Sequence, residues 1–581
     1  MPKIEVNEDI FYTLAGRRWD SREAFEEALT CAKAELDEDS DKGLPAAERT
    51  LKIELNDTNR PDLWATAGCA RQLRIHNGGK RPEYPFFSYP GQSRKADWKV
   101  LVEATVQGVR PYLAGFIALG KGITDASLRD MIQTQEKLAW NFGRKRRTIS
   151  MGLYRIAIIQ WPIIYKAVDP DSVSFVPLQW DVPLTLREIL KQHPKGREYA
   201  FIQEHEPLHP LLVDARGGIL SYPPIINSAD LGAVQVGDTD LFIELTGTDQ
   251  PSVTLAASIM ACDLADQGYT IEPVAVEYAY DTPLGRTVTT PCYFQEPVFC
   301  SLGRIERFLG ESLNAEACIT ALTRMGVQAE KDRAVERGET TETEGIRAYP
   351  PEYRNDFLHA ADVAEDVMIG RGLNSFTPTR PRDFTVGRLT PITYFSRRVK
   401  EILVGMGYQE LIYNYLGCRK DLVENMRGDG SRIIRIANPM TENYEYLRDS
   451  VLASLMMSEA VSGHSVYPHR IFEIGKVAYR EPTENYGTRT RQYAGFLHAA
   501  QDANFNTVVG QLQTLFYYLS REYEVEESAD SRFIPGRAAA IRYQGERIGV
   551  FGEVHPEVLE NWGVSMPCTA GELDLEALLE R

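Results

Sequence analysis

The sequence predicts an α+β multidomain protein on three observations. A chain of 581 residues, at roughly 100–200 residues per domain, makes about three to five domains. Helically spaced apolar residues alternate with short strand patterns along its length, and the C-terminal third gathers antiparallel-looking strands framed by helices, the pattern of a sheet under helical cover. Hydrophobic residues make up 43% and charged residues 25%, which excludes wholesale disorder. Lys plus Arg number 64 against 82 Asp plus Glu, a net charge of −18, so bulk positive charge cannot drive nucleic-acid binding; an RNA contact would need a local patch or a partner chain. No apolar run approaches eighteen residues, so no spanning helix is expected. The start, MPKIEVNEDIFYTL, lacks the basic-then-apolar order of a signal peptide and reads as mature protein. Eight scattered cysteines without CxxC, and nine histidines without HExxH, argue against structural zinc and suit a reducing cytoplasm.

Residues 1–90 read as a small α/β domain. SREAFEEALTCAKAEL has helical spacing opened by Ser21 as cap, with Glu23 in the first turn; Ala24 in third place excludes a capping box. LKIEL (51–55) alternates as a half-buried strand, and Pro61 opens a turn into a second helix. The Gly/Pro/Ser-rich stretch 76–95 marks a boundary. Residues 91–290 read as mixed α/β: WKVLVEATVQGV, GILSYPPIINS, DLFIELTGT and YTIEPVAVEYAY as strands, LRDMIQTQEKLAWNFGRK and PSVTLAASIMACDLADQ as helices. The run Arg144-Lys145-Arg146-Arg147 is a positive patch on an acidic protein, read as a solvated helix end with a faint indication of phosphate contact.

Residues 291–375 form a small helix-rich domain that repeats the order of the first. Placing Arg60-Pro61-Asp62-Leu63 on Arg354-Asn355-Asp356-Phe357 sets Ala70 opposite Ala364, Gly68 opposite Asp362 and Arg71 opposite Glu365. This reads as an internal duplication with acidic residues only in the second copy, chance similarity being its rival. Residues 376–581 carry the long helices and antiparallel strands of the last domain.

Several motifs bear on chemistry. Gly115-Phe-Ile-Ala-Leu-Gly120-Lys121 imitates a phosphate loop, but Gly122 stands where Ser or Thr should ligate magnesium, and the run reads as a strand end and turn. Asp362, Glu365 and Asp366 stand at i, i+3 and i+4 on one helix face, with Asp356 near its start; so much like charge needs solvent or a cation, and hard oxygens suit magnesium. From spacing alone, a cap plus a solvated acidic face is the favoured reading, and a magnesium site the alternative. His209 and His555 read as hydrogen-bonded structural histidines rather than general bases.

Tyr353-Arg354-Asn355-Asp356, Asp362, Glu365-Asp366 and Ile369-Gly370-Arg371-Gly372-Leu373-Asn374 together resemble the pattern of the phenylalanyl-tRNA synthetase beta subunit family. LKIELNDTNRPDL (51–63), YPPIINS (222–228), FIELTGTD (242–249) and IGVFGEVHPEVL (548–559) resemble its archaeal and eukaryotic-type short form, so the likeness covers almost the whole chain. The resemblance implies four things. Asp356, Asp362, Glu365 and Asp366 would bind magnesium at a site shared with an alpha subunit. The last domain would have a class II synthetase-like antiparallel sheet without activity, since Arg448 stands in a motif-2-like turn but no later GxGxxR-like run supplies an ATP-holding arginine. ATP would then bind the alpha subunit of a two-alpha, two-beta heterotetramer that charges tRNA. The middle domain would be an α/β editing domain whose pocket, lined by Leu212, Ser221, Glu244 and Thr246, hydrolyses tyrosyl-tRNA. Glu244 is a suitable acceptor for a phenol, and it shares a strand face with Thr246. The alternatives are a noncatalytic RNA-binding or scaffold protein and, third, a nucleotide hydrolase.

Overall fold

The computed structural model describes residues 2–579 except 42, 46, 47, 57, 58 and 90–95, so the end of the expected 76–95 boundary lies outside the described residues. The chain divides into two compact units, Met1–Thr379 and Arg380–Arg581.

The first unit opens with β1 (Lys3–Asn7), α1 (Glu8–Ala15), α2 (Arg22–Leu29), β2 (Ala34–Glu38), β3 (Thr50–Leu55) and α3 (Thr66–His76). Ser21 caps α2 as expected, its side chain accepting from the Ala24 amide at 3.2 Å. Pro61 begins a short 3-10 turn (Pro61–Leu63) ahead of α3 rather than α3 itself. The boundary stretch is partly structural: Tyr84, Phe86 and Phe87 are buried in a core that also holds Leu73, Met260 and Ile346, so first, middle and third segments share one apolar interior.

The middle segment contributes β4 (Trp98–Val102), β5 (Tyr112–Leu119), α4 (Asp125–Lys137), β6 (Ile149–Arg155), β7 (Ile163–Val168), β8 (His209–Val213), β9 (Ile219–Tyr222), β10 (Ile226–Asn227), β11 (Leu241–Gly247), α5 (Gln250–Asp266), β12 (Thr270–Tyr278) and β13 (Thr287–Thr290). They build one mixed sheet in the order β10-β9-β8-β7-β4-β12-β5-β11-β6, with β13 on β12. Period-two alternation assigns the faces of β11: Leu241, Ile243 and Leu245 join the α5 side of the core, and Phe242 joins the opposite cluster with Tyr154 and Leu212. Glu244 and Thr246 therefore share the face away from α5. The sheet curls until its last strand, β6, meets β9 near the other end, for Tyr154 on β6 is hydrogen-bonded to Ser221 on β9.

The third segment is β14 (Val298–Ser301), α6 (Leu302–Leu309), α7 (Ala315–Arg324), β15 (Gln328–Val335), β16 (Glu342–Tyr349) and α8 (Ala360–Arg371). Its order of elements matches the first segment one for one, and its sheet, β14-β16-β15, has the first-third-second arrangement of β1-β3-β2. Even the helix ends agree: α1 and α6 both stop at a left-handed glycine, Gly16 and Gly310, each at φ +73°. The duplication is real. The copies also pack reciprocally, α7 against α3 through Arg324 Nε and the His76 carbonyl (3.3 Å), and the 3-10 turn that follows α2 (Thr30–Ala32) against α8 through Lys33 Nζ and Glu365 (2.7 Å).

The second unit is a seven-stranded sheet under helices α9 (Pro391–Gly405) and α10 (Phe505–Leu519). Its strands are β17 (Gln409–Glu410), β18 (His469–Arg480), β19 (Thr488–Ala499), β20 (Glu524–Glu527), β21 (Phe533–Tyr543), β22 (Glu546–Val554) and β23 (Cys568–Asp574). The order is β17-β18-β19-β23-β22-β21-β20, antiparallel except at β17–β18. Val399, Leu403, Leu512 and Phe516 of the helices pack on Phe472, Phe496 and Phe551 of the sheet. Among the described residues no helix is long and apolar enough to cross a membrane.

Candidate functional site

Glu244 lies mid-strand on β11, flanked in register by Gly115 on β5 and Gly152 on β6. This register disposes of the phosphate-loop imitation, because Gly115 is a mid-strand residue of β5, where a Cβ would fall 3.0 Å from both the Ile243 carbonyl and the Phe242 ring. Gly152 is needed for close approach: a Cβ there would fall 2.2 Å from the Tyr154 hydroxyl and 2.8 Å from Glu244 Oε1. The Tyr154 hydroxyl sits 3.0 Å from Glu244 Oε1 and 2.8 Å from Ser221 Oγ. One hydroxyl proton serves one acceptor at a time, so the phenol donates to the carboxylate and Ser221 donates to the phenol oxygen. Glu244 Oε2 is buried without a hydrogen-bond partner among the described residues, and Glu244 lines a cavity of about 300 Å³ together with Ser221, Ser150, Pro224 and Met151. Burial raises the Glu244 carboxyl to about 7, against the opposing pull of the Tyr154 hydrogen bond and the Arg110 charge.

Thr246 and Leu212 stand behind this cavity rather than among its lining residues. Thr246 Oγ1 accepts from Arg110 Nε at 3.0 Å and contacts Ser150 Oγ at 3.0 Å. Arg110 is wholly buried, and among the described residues it makes no ion pair; its other bonds go to Ser150 Oγ and to the carbonyls of Thr246, Arg146 and Arg147. Desolvation accordingly lowers its guanidinium to about 10. Leu212 faces Ser221 across β8 and β9 and packs with Tyr154 and Phe242, fixing the rings that back Glu244. Sequence reasoning missed Tyr154, Arg110, Ser150 and Gly152. The one available signal was a glycine inside an apolar strand run, which marks close approach of another group.

His209 hydrogen-bonds the Tyr222 hydroxyl through Nδ1 at 2.6 Å, and His555 caps a short helix by accepting from the Glu557 amide at 3.1 Å; both are structural, as expected.

The acidic quartet does not assemble into one donor set. Arg354 grips Asp356 with Nε and Nη2 (2.9 and 2.7 Å) and Asp366 with Nη1 and Nη2 (2.6 and 3.1 Å), all three side chains buried. Burial alone would raise the Asp356 carboxyl; Arg354 outweighs it and holds Asp356 below its ordinary range. The duplicated copy shows this to be architecture. There Arg60 closes on Asp62 (2.8 and 2.7 Å) and reaches Gln72 (3.2 Å), and Gln72 is the counterpart of Asp366 when Arg60 is laid on Arg354. Asp362 accepts from the Leu358 and His359 amides at 2.7 Å, capping α8, and Glu365 is paired with Lys33. Among the described residues no group of three or more His, Cys, Asp or Glu side chains is placed to hold a metal ion. The spacing on the helix was read correctly; the counter-ion two residues from Asp356 was not.

Residues 298–373 match the family profile described as the tRNA synthetase B5 domain, and residues 377–575 match the phenylalanyl tRNA synthetase beta chain CLM domain. A curated relative from Treponema pallidum, named phenylalanine–tRNA ligase beta subunit, is 47% identical with both chains covered in full. The chain belongs to the phenylalanine–tRNA ligase beta-subunit family. A second member, from Borreliella burgdorferi, is 43% identical over the full length of both chains. An N-terminal fragment of the phenylalanyl-tRNA synthetase beta subunit from Pyrococcus horikoshii, known from a crystal structure, is 34% identical with a TM-score of 0.55, covering 64% of this chain and 100% of that one. Both of these full-length relatives are bacterial, so the expected attribution to an archaeal and eukaryotic-type form is not supported.

Proposed function

We propose that the chain acts as the beta subunit of a phenylalanine–tRNA ligase, a cytoplasmic enzyme that charges tRNA with phenylalanine only when an alpha subunit is present, and that its own chemistry is removal of tyrosine from mischarged tRNA. The observation that carries the second part is Glu244: a buried carboxylate on a cavity wall with one oxygen engaged by Tyr154 and the other without a partner. Tyrosine differs from phenylalanine by one hydroxyl, and an apolar synthetic pocket rejects an added hydroxyl only modestly, so a second site is needed that selects for it. Glu244 Oε2 accepts the phenol of a tyrosyl ester; a phenylalanyl ester would leave that carboxylate oxygen buried and unpaired. Ser221 and Ser150 supply further polar contacts on the same wall.

Two observations on the second unit support dependence on a partner. Arg448, in the motif-2-like turn, is spent internally on Glu473 (2.8 and 2.7 Å), Ser454 and the Lys476 carbonyl, so its guanidinium is not free for a nucleotide. Large apolar side chains stand open to solvent on this unit, among them Phe384 (89%), Ile412 (85%), Met440 (97%) and Val466 (92%), as on a surface that another chain covers. In this reading the sheet of the second unit is a class II synthetase-like, non-catalytic platform, ATP is used at the alpha subunit, and the assembly is a two-alpha, two-beta heterotetramer. Of the acidic quartet, the outward pair Asp362 and Glu365 is what the chain offers to a magnesium ion shared with that partner.

The test is coexpression with the candidate alpha chain. The isolated chain should show no phenylalanine-dependent ATP–pyrophosphate exchange, and the complex should show it and deacylate preformed tyrosyl-tRNA. Exchange by the verified single chain, or a complex without deacylation, would refute the corresponding half of the proposal.

A further inference from the structure

The basic run beside the pocket is a solvated helix end, as expected, but a specially shaped one: it follows the helical turn Leu138–Phe142, and Arg144, Lys145 and Arg147 are exposed. Arg144, Lys145 and Arg146 all take left-handed backbone conformations, φ +49°, +57° and +65°, which L residues adopt at a cost and which here occupy three consecutive positions. The turn is held there from two sides. The Lys145 and Arg146 amides donate to the Trp140 and Ala139 carbonyls at 2.8 Å, and the buried Arg110 ties the Arg146 and Arg147 carbonyls to Thr246, next to Glu244 on β11. Three of the four cations lie over rings rather than beside acids: Lys145 over Trp140 (5.3 Å), Arg146 over Tyr199 (4.4 Å) and Arg147 over Phe201 (4.9 Å). Among the described residues none of the four makes an ion pair, on a chain of net charge −18 whose other basic groups are widely paired. Trp140 and Phe201 are themselves 44% and 39% exposed.

Arg144, Arg146 and Trp140 line a continuous track, with Lys145, Arg147 and Phe201 on the same turn or stacked beside it. The Glu244 cavity shares Ile132, Glu136, Arg146 and Lys195 with a neighbouring hollow of about 590 Å³, which shares Lys137, Trp140 and Asn141 with a third of about 1170 Å³ bounded by Arg144. Glu136 and Glu198 also face the track, and Glu198 is held by Lys195 at 3.0 Å. Arg146 is tied to the Pro224 and Ile225 carbonyls (3.2 Å each) over the buried Tyr199 ring, which leaves Arg144, Lys145 and Arg147 as the cations without ion pairs beside the exposed rings of Trp140 and Phe201. Such cations interleaved with exposed rings are the chemistry of a single-stranded nucleic-acid surface, phosphates on the cations and bases on the rings.

We propose that the Arg144–Arg147 turn, with Trp140 and Phe201, is the docking surface for the single-stranded 3′ end of the tRNA, delivering its terminal aminoacyl ester to the Glu244 cavity. The proposal rests on the proofreading reading above. A rigid, pre-strained turn bolted to β11 by Arg110 sets the distance between phosphate contacts and the hydrolytic pocket, which a mobile basic loop would not do.

The test uses the complex of the full chain with its alpha subunit and the double variant Arg144→Asn, Lys145→Asn. Asparagine tolerates positive φ, so the fold is kept while two charges go, and the melting temperature should hold or rise. Deacylation of tyrosyl-tRNA should show KM raised about tenfold at low salt, with kcat at saturating tRNA changed less than twofold. The slope of log KM against log salt should fall by about 1.4, since each single-strand phosphate contact contributes about 0.7. Unchanged KM and slope in an enzyme that still deacylates would overturn the docking surface and leave the pocket standing. A wild-type complex that does not deacylate tyrosyl-tRNA would bring down the proofreading reading, and this proposal with it.

Discussion

Replacing Glu244 by Gln should stabilise the first unit in a pH-dependent way. The carboxyl is pushed by burial from its ordinary value of 4.5 to about 7, with Tyr154 and Arg110 opposing the shift. Below about pH 4.5 the group is neutral in both folded and unfolded chains and costs nothing. As pH rises towards 7 the unfolded chain ionises while the folded one resists, so stability is lost across that window, and the loss is nearly complete just above pH 7. Gln does not ionise, keeps a carbonyl oxygen for the Tyr154 hydroxyl, and escapes the loss. Two pKa values about 2.5 units apart, at about 1.36 kcal/mol per unit, make the Gln variant's advantage at pH 8 exceed that at pH 5 by about 2.5 kcal/mol. The unit spans Met1–Thr379. At about 2.1 cal/mol/K per residue its unfolding entropy is about 0.8 kcal/mol/K, so the difference appears as about 3 °C in melting temperature. Calorimetry of both proteins at pH 5 and pH 8 reads it directly. An offset that is the same at both pH values would refute the claim that Glu244 is held in a desolvated site.

Three further outcomes follow from the same geometry. Arg354→Leu strands Asp356 and Asp366 in the interior and should cost about 3–5 kcal/mol, read by denaturant unfolding of the full chain; a loss below 1 kcal/mol would mean the pair is not structural. In the isolated chain Asp362→Ala should behave as loss of a helix cap, about 1 kcal/mol, by the same amount with and without added magnesium. Gly152→Ala places a methyl against the Tyr154 hydroxyl and Glu244, and should cut tyrosyl-tRNA deacylation at least about tenfold, a loss of about 1.4 kcal/mol in transition-state binding.

What the sequence made legible was local. LKIEL became β3, FIELTG became β11 with Glu244 and Thr246 on one face, and the Arg-x-Asp alignment at 60 and 354 exposed a duplication that the matching sheets then established. The contacts that make the site lie elsewhere. Tyr154 reaches Glu244 across 90 positions and Arg110 reaches Thr246 across 136, separations at which no pattern of types or spacings carries a signal. The acidic quartet shows the converse. Helical spacing placed its members on one face, but it could not show that Arg354 turns inward to take two of them, although Arg60 and Gln72 in the first copy held that information once Gln72 was aligned with Asp366.

The measurement that bears most directly on the central claim is deacylation of preformed tyrosyl-tRNA by the alpha–beta complex carrying wild-type Glu244, Glu244→Gln or Glu244→Ala, with phenylalanylation assayed on the same preparations. A lost hydrogen bond to a charged group costs about 1.5–3 kcal/mol, so Ala should slow deacylation roughly ten- to a hundredfold. Gln, which keeps an acceptor oxygen without the charge, should fall between, and phenylalanylation should be little changed in all three. Equal deacylation by the three complexes would remove Glu244 from the mechanism and contradict the account.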